Sequence, residues 1–338
     1  MNPRSVTFRY PLERGLGLNA VQRLLVVSKG DIASVRLAES LLRVTDWEET
    51  SPVEGGSVYL AGPHRMWWLP DRILHQDFID ERFSHGTGYV ADEVLFLSRH
   101  SAASGRPCLT VHPIGVLDAG PSLTPLEYGG RRGKCPPPAR SFSPWLDLLD
   151  AMGRKNGFPA GFSSSAEATH HGPWLTTPCV FIEVGSNLTA WESLPPAAFW
   201  ADVLALGLGL SDTTDSSLSP FVERVRSPPD LPVVIGIGGG HYAVRHRDLA
   251  SKYEVLLGHV VPNWAFGNPN EDGSFESEHL ESCLIEVVNA TRLVAGDQEV
   301  VGYLDRKSMK AAARQQITSC LGELDVRLIR SKDLVQRR

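Results

Sequence analysis

Apolar residues in this chain gather into short, nearly continuous runs separated by amphipathic stretches. Arg23-Leu24-Leu25-Val26-Val27-Ser28 reads as a strand buried on both faces. Residues 31–42 then carry apolar side chains at helical spacing behind Asp31, a suitable cap. Val58-Tyr59-Leu60 and Met66-Trp67-Trp68-Leu69, parted by Gly62-Pro63, predict a hairpin. Further strands are predicted over 93–98, 108–112, 179–184, 233–237, 255–260, 300–304 and 326–329, and helices over 144–153, 197–208, 276–291 and 306–321. The Gly/Pro/Arg-rich stretch 120–140 and the Ser/Asp/Pro-rich stretch near 211–230 read as surface insertions.

Strands alternating with helices and long crossovers predict an α/β fold, a mainly parallel sheet with helices on both faces. The expected organisation is a flexible extension over 1–20, a smaller N-terminal α/β lobe over 21–90 and a main α/β domain over 91–335.

Composition narrows the class. The 338 residues are 42% apolar and 21% charged, an ordinary globular balance, with a formal net charge of −6. A polyanionic partner must therefore meet a local basic patch. Five scattered cysteines (Cys108, Cys135, Cys179, Cys283 and Cys320), with no CxxC pair, favour reduced thiols and a cytoplasmic setting. Arg4, Arg9 and Arg14 against Glu13 give the first twenty residues a partial likeness to a transit peptide, without its serine richness, so organelle targeting stays open. No apolar stretch approaches the ~20 residues of a bilayer span.

Several predicted strands end on histidine. Arg99-His100 closes one and His112 another; Thr169-His170-His171 precedes Gly172-Pro173; His241 follows Gly238-Gly239-Gly240; His259 lies in the run before Pro262. Ligands of open parallel sheets gather outside the carboxyl ends of the strands, so these imidazoles are expected around one pocket. Adjacent residues of an extended strand point to opposite faces, so His170 and His171 share the site only if a turn intervenes. Glu183 sits on the Phe181 side of its strand and suits a general base or a histidine-orienting group.

The candidate catalytic residues are thus His170, His171, Glu183, His241 and Glu167, with His100, His112, His259 and Ser101 in or behind the site. The glycine run departs from a dinucleotide fingerprint at its sixth position, which is His241, and suits an oxyanion held by the N–H groups of Gly239 and Gly240. Arg245 and Arg247 are candidate phosphate ligands. Arg306, Lys307, Lys310 and Arg314 form a candidate basic helix face for RNA. GxSxG, HExxH and P-loop signatures are absent.

Five blocks in this order resemble the D-aminoacyl-tRNA deacylases of archaeal and plant type: Ser98-Arg99-His100-Ser101 with Leu109-Thr110-Val111-His112, Glu167-Ala168-Thr169-His170-His171-Gly172-Pro173, Phe181-Ile182-Glu183-Val184-Gly185-Ser186, Gly238-Gly239-Gly240-His241-Tyr242-Ala243, and Gly258-His259-Val260-Val261-Pro262. The resemblance runs from about Leu24 onward. It implies a two-lobed fold similar to phosphorylases and peptidyl-tRNA hydrolase. It also implies hydrolysis of the ester between a D-amino acid, aldehyde-modified ones included, and tRNA, and a dependence on zinc, with His170, His171, Glu183 and His241 as candidate ligands. One departure is Val111-His112-Pro113-Ile114-Gly115-Val116, where the family has Thr-His-x-x-Gly-Asn.

The expected partner is D-aminoacyl-tRNA, the expected state a monomer or small homo-oligomer, with no membrane association. An activated ester needs no covalent nucleophile: water activated by His170 or His171 with Glu183 suffices. Two rival readings are a zinc amidohydrolase or carboxypeptidase-like enzyme, and a non-catalytic RNA-binding module. The second lacks an RNA-recognition signature and has the wrong overall charge.

Overall fold

The computed structural model describes residues 21–117 and 127–337. The expected extension over 1–20 and the part of the 120–140 insertion up to residue 126 lie outside the described residues.

Two sheets form the frame. The larger comprises β1 (Arg23–Ser28), β2 (Glu48–Val53), β3 (Gly56–Ala61), β4 (His64–Leu69), β5 (Glu93–Ser101), β6 (Cys108–His112), β7 (Ser163–Ala166) and β8 (Cys179–Ser186), in the order β2-β3-β4-β1-β5-β8-β6-β7. The smaller comprises β9 (Val233–Ile237), β10 (Leu256–Val261), β11 (Val300–Leu304) and β12 (Arg327–Ile329), in the order β10-β9-β11-β12, with every pair parallel. The parallel centre of the large sheet, β4-β1-β5-β8, is flanked by the antiparallel pairs β2-β3, β3-β4 and β6-β8. The mainly parallel α/β reading holds, with a mixed margin that the apolar runs do not encode.

Alternate residues of β1 enter different cores, as strand geometry demands. Leu25 and Val27 pack with Leu37 and Leu41 of the helix Ile32–Val44 and with Trp200 of the helix Leu194–Gly207. Leu24 and Val26 pack on the opposite face with Ile79 and Phe83 of the helix Ile79–Thr87. Asp31 caps the first helix as expected, accepting from the N–H groups of Ala33 and Ser34. The helix Phe142–Asn156 lies between the sheets: Trp145 and Leu148 share a core with Leu109 and Val111 of β6 and Leu257 and Val260 of β10. The helices Ser277–Ala295 and Ala311–Glu323 cover the other face of the small sheet.

Several expectations need correction. The boundary near residue 90 runs through one sheet, because β4 and β5 both pair with β1. Within 120–140, the described end is internal: Cys135 and Ala139 are buried, and Ala139 N–H donates to the carbonyl of Cys179. The 211–230 stretch holds the helix Ser219–Arg226, whose Val222 and Val225 reach the core. Its flanking prolines and serines obscure that short apolar period. The last predicted long helix starts at Ala311, not 306, with Lys310 as its extended cap. β2, β7 and the helices Ile79–Thr87 and Val244–Lys252 are too polar to stand out by periodicity.

Candidate active site

The carboxyl ends of β5 and β8, the end of β6 and two connecting loops meet at a cavity of about 680 Å³. His100 lies near the end of β5 opposite Gly185 of β8, and Glu183 of β8 stands opposite Thr110 of β6. After β7 the chain leaves the sheet and is stitched to the small sheet. Ala168 N–H donates to the carbonyl of His241 (2.8 Å), Thr169 N–H to that of Val260 (2.8 Å), and Ala243 N–H to that of Ala166 (2.9 Å). These bonds carry Glu167, His170 and His171 against the glycine-rich loop that bears His241. His171 has φ 47°, so the chain turns there and both neighbouring imidazoles enter the cavity.

Glu167 is the hub, with no exposed surface. One carboxylate oxygen lies 3.0 Å from His100 Nδ1, the other 3.0 Å from His241 Nε2 and 3.7 Å from His170 Nε2. Burial opposes its ionisation, but His100 and His241 hold it well below the usual carboxylate range. Burial likewise opposes a charged His100, yet Cys108, Glu167 and Glu183 carry its pKa up to about 12. His100 Nε2 lies 3.2 Å from the Tyr242 hydroxyl. Glu183 accepts from the Thr110 hydroxyl at 3.1 Å and lies 3.5 Å from His112 Nε2.

A second group of imidazoles stacks beside this hub. Ring centroids are 4.1 Å apart for His112 and His170, 4.9 Å for His112 and His171, and 4.4 Å for His170 and His171. In each, Nδ1 contacts a backbone carbonyl: Pro113 at 3.1 Å, Ala168 at 2.8 Å and Gly172 at 2.7 Å, respectively. A neutral ring bonded this way carries its proton on Nδ1 and leaves the Nε2 lone pair free. Burial, reinforced by His112, depresses His170 and brings His171 to about 3; His112 is raised by Glu183 against the effect of burial.

The cavity thus gathers His100, His170, His171, Glu183 and His241 on its wall with Ser101 at the edge, while Glu167 and His112 stand just behind. His259 is not in it. Its ring is buried between the Thr169 hydroxyl and the Pro136 carbonyl, both 3.0 Å away, where it braces the segment bearing His170. The oxyanion assignment fails at Gly239, whose N–H donates to the Ser308 hydroxyl (2.9 Å). Gly238, Gly239 and Gly240 line a second cavity of about 450 Å³, whose wall they share with Tyr242, the neighbour of His241.

The expected cations are mostly occupied. Arg247 is bound to Asp150 and Ser164, and Arg245 lies 3.2 Å from Asp305. Lys310 donates to the Glu271 carbonyl, and Arg314 to the carbonyls of Arg306 and Met309. Arg306 and Lys307 precede the helix, so the four do not form one helical stripe. Tyr242 and Thr110 lie inside the blocks of resemblance but carry no periodic or spacing signal for their contacts with His100 and Glu183; Trp191, Arg72, Tyr128 and Trp264, which line the cavity, have none at all.

Among the described residues no helix is long and apolar enough to cross a membrane. The sequence model of the D-aminoacyl-tRNA deacylase family matches residues 87–329. A D-aminoacyl-tRNA deacylase of Arabidopsis thaliana is 32% identical over 318 residues, covering 92% of this chain and 98% of the relative. One from Thermococcus onnurineus is 27% identical, covering 91% and 99%. The relative from Methanoculleus marisnigri is 28% identical, and the chain spans 58% of its length. The crystal structure of a conserved protein of unknown function aligns over 94% of this chain and 99% of its own with a TM-score of 0.73 at 25% identity.

Proposed function

Because the chain belongs to the D-aminoacyl-tRNA deacylase family, we infer that its cavity hydrolyses the ester joining a D-amino acid to the terminal ribose of tRNA. The observation that carries this reading is Glu167, a buried carboxylate set 3.0 Å from both His100 and His241, just behind the wall of a cavity of suitable size. Neither rival, the amidohydrolase nor the RNA-binding module, is favoured by that membership.

Glu167 faces Nε2 of His241 at 3.0 Å and favours the proton on that nitrogen, which leaves Nδ1 of the ring as the acceptor for a proton from water. His241 is the most accessible of the clustered imidazoles, with 38% of its side chain exposed. His100, charged near neutrality, donates from Nδ1 to Glu167 and from Nε2 to Tyr242. The Tyr242 O–H is then free to donate to the oxyanion that forms as water adds to the ester carbonyl. His241 returns the proton to the departing ribose oxygen. This reassigns the base from His170 and His171 to His241, and the oxyanion donor from the glycine loop to Tyr242.

The residues also fit zinc. Nε2 of His112 is fully buried without a hydrogen-bond partner, and ligand atoms of His112, His170 and His171 lie within 4.8 Å of one another. Imidazoles anchored through Nδ1 to backbone carbonyls are a usual zinc donor set, and all three rings are held in this way. Zinc held there would supply Lewis-acid polarisation of the ester. His170 and His171 remain candidate ligands and His112 joins them, while His241 with His100 and Glu167, and Glu183 with His112 and Glu167, form two further groups of the same reach.

Deacylation of D-Tyr-tRNA and L-Tyr-tRNA tests the reading, with untreated, chelator-treated and zinc-restored protein. The D-ester is expected to be cleaved on the order of 100-fold faster than the L-ester, with the rate lost to chelator and recovered with zinc. Equal, slow loss of both esters would overturn the function; a chelator-insensitive rate would overturn the metal alone.

A further inference from the structure

Arg247, Lys310 and Arg314 are bound within the protein and the net charge is −6, so the basic face expected from the sequence has little to offer tRNA phosphates. The cavity mouth offers another source of affinity. Three aromatic side chains are exposed among the described residues, Tyr128 (59%), Tyr242 (38%) and Trp264 (46%), and all border the catalytic cluster. Tyr128 and Trp264 line the 680 Å³ cavity itself, and Tyr242 contacts His100 and His241. They come from three segments far apart in sequence, the loop before Gly129, the glycine-rich turn and the short helical turn Asn263–Phe266. Every other aromatic of the described residues is at least half-buried.

We propose that Trp264 and Tyr128 form a stacking platform for the unpaired bases at the 3′ end of the tRNA. The inference rests on the ester-hydrolysis reading. An ester carbonyl among the histidines brings the terminal ribose, and the bases attached next to it, to the mouth that Tyr128 and Trp264 line. Aromatic rings accept any base through its π face, which suits a site that must take tRNAs of differing sequence but common single-stranded end. Arg72 and Arg99 line the same wall, placed for the phosphates between those bases. Arg99 lies over the Trp191 ring at 4.9 Å, and Trp191 N–H donates to the His100 carbonyl (2.8 Å), so this wall is continuous with the catalytic cluster.

Trp264→Leu and Tyr128→Leu, singly and together, test the platform against D-Tyr-tRNA. Each single change should raise KM about tenfold with little change in kcat, and Trp264→Phe should restore most of the loss. Binding of uncharged tRNA gives a readout without turnover. Removing the terminal adenosine should weaken binding to the unaltered protein about tenfold and make no difference to the doubly substituted one. A KM unchanged in both single variants, or an equal cost of adenosine removal in both proteins, overturns the platform. So does a change in sedimentation without a change in tRNA binding, which would assign the patch to a second copy of the chain. If the unaltered protein cleaves no D-ester yet shows the adenosine dependence, the hydrolysis reading fails and the platform stands.

Discussion

A carboxylate with no exposed surface persists as an anion only where positive charge or hydrogen bonds replace water. Glu167 has two imidazole nitrogens at 3.0 Å in that role, so its charge and the protonation of His100 sustain each other. Glu167→Gln keeps the shape and removes the charge. The single-turnover rate constant for deacylation at saturating protein should fall at least about 100-fold, with the near-UV dichroism of the fold retained. The histidines were legible as residues because each ends an apolar run. That Tyr242 would touch His100 was not, nor that Ser308 would take the Gly239 N–H, because those partners come from distant turns.

At the scale of elements, the site depends on strands held at close range. A Cβ on Gly185 would stand 2.6 Å from Cδ2 of His100 across the β5–β8 pair. Gly185→Ala must therefore displace the ring. Stability should drop by about 1–3 kcal/mol, while activity falls on the order of 100-fold because a small misplacement of a reacting group is costly; urea unfolding and deacylation rates, measured together, separate the two. Buried strands and the Asp31 cap were readable from apolar runs and turn chemistry. The Arg306–Arg314 stripe was misread because helical spacing is meaningful only inside a helix, and Lys310 is its extended cap.

The whole molecule is braced by buried polar contacts between layers. Arg23, 1% exposed, pairs with Glu93 at 2.9 Å and donates to the Val225 carbonyl, tying β1 to the helix Ser219–Arg226. His64 accepts from the Arg23 N–H and donates to the Leu208 carbonyl, and burial depresses its pKa to about 4. The unfolded chain binds this proton near pH 6.5 and the folded chain only near pH 4, so stability is present above pH 6.5 and lost as pH falls through that window. The share of His64 is roughly 3 kcal/mol. Urea unfolding between pH 7 and 4 should show that slope, and His64→Gln should flatten it by this share; an unchanged slope would contradict the assignment.

Alternating polarity, caps and turn residues act over a few neighbours, so the sequence alone determined the parallel strands, most helices and the histidines at their ends. Strand order, the antiparallel entry of β6 beside β8 and the stitching of 166–171 to the small sheet depend on contacts between residues far apart along the chain. Only the tertiary structure could decide that Glu167, rather than Glu183, would sit between His100 and His241, and that Arg247, Lys310 and Arg314 would be spent on internal carbonyls and carboxylates. A side chain's partner is set by which distant backbone delivers it, and no local pattern encodes that.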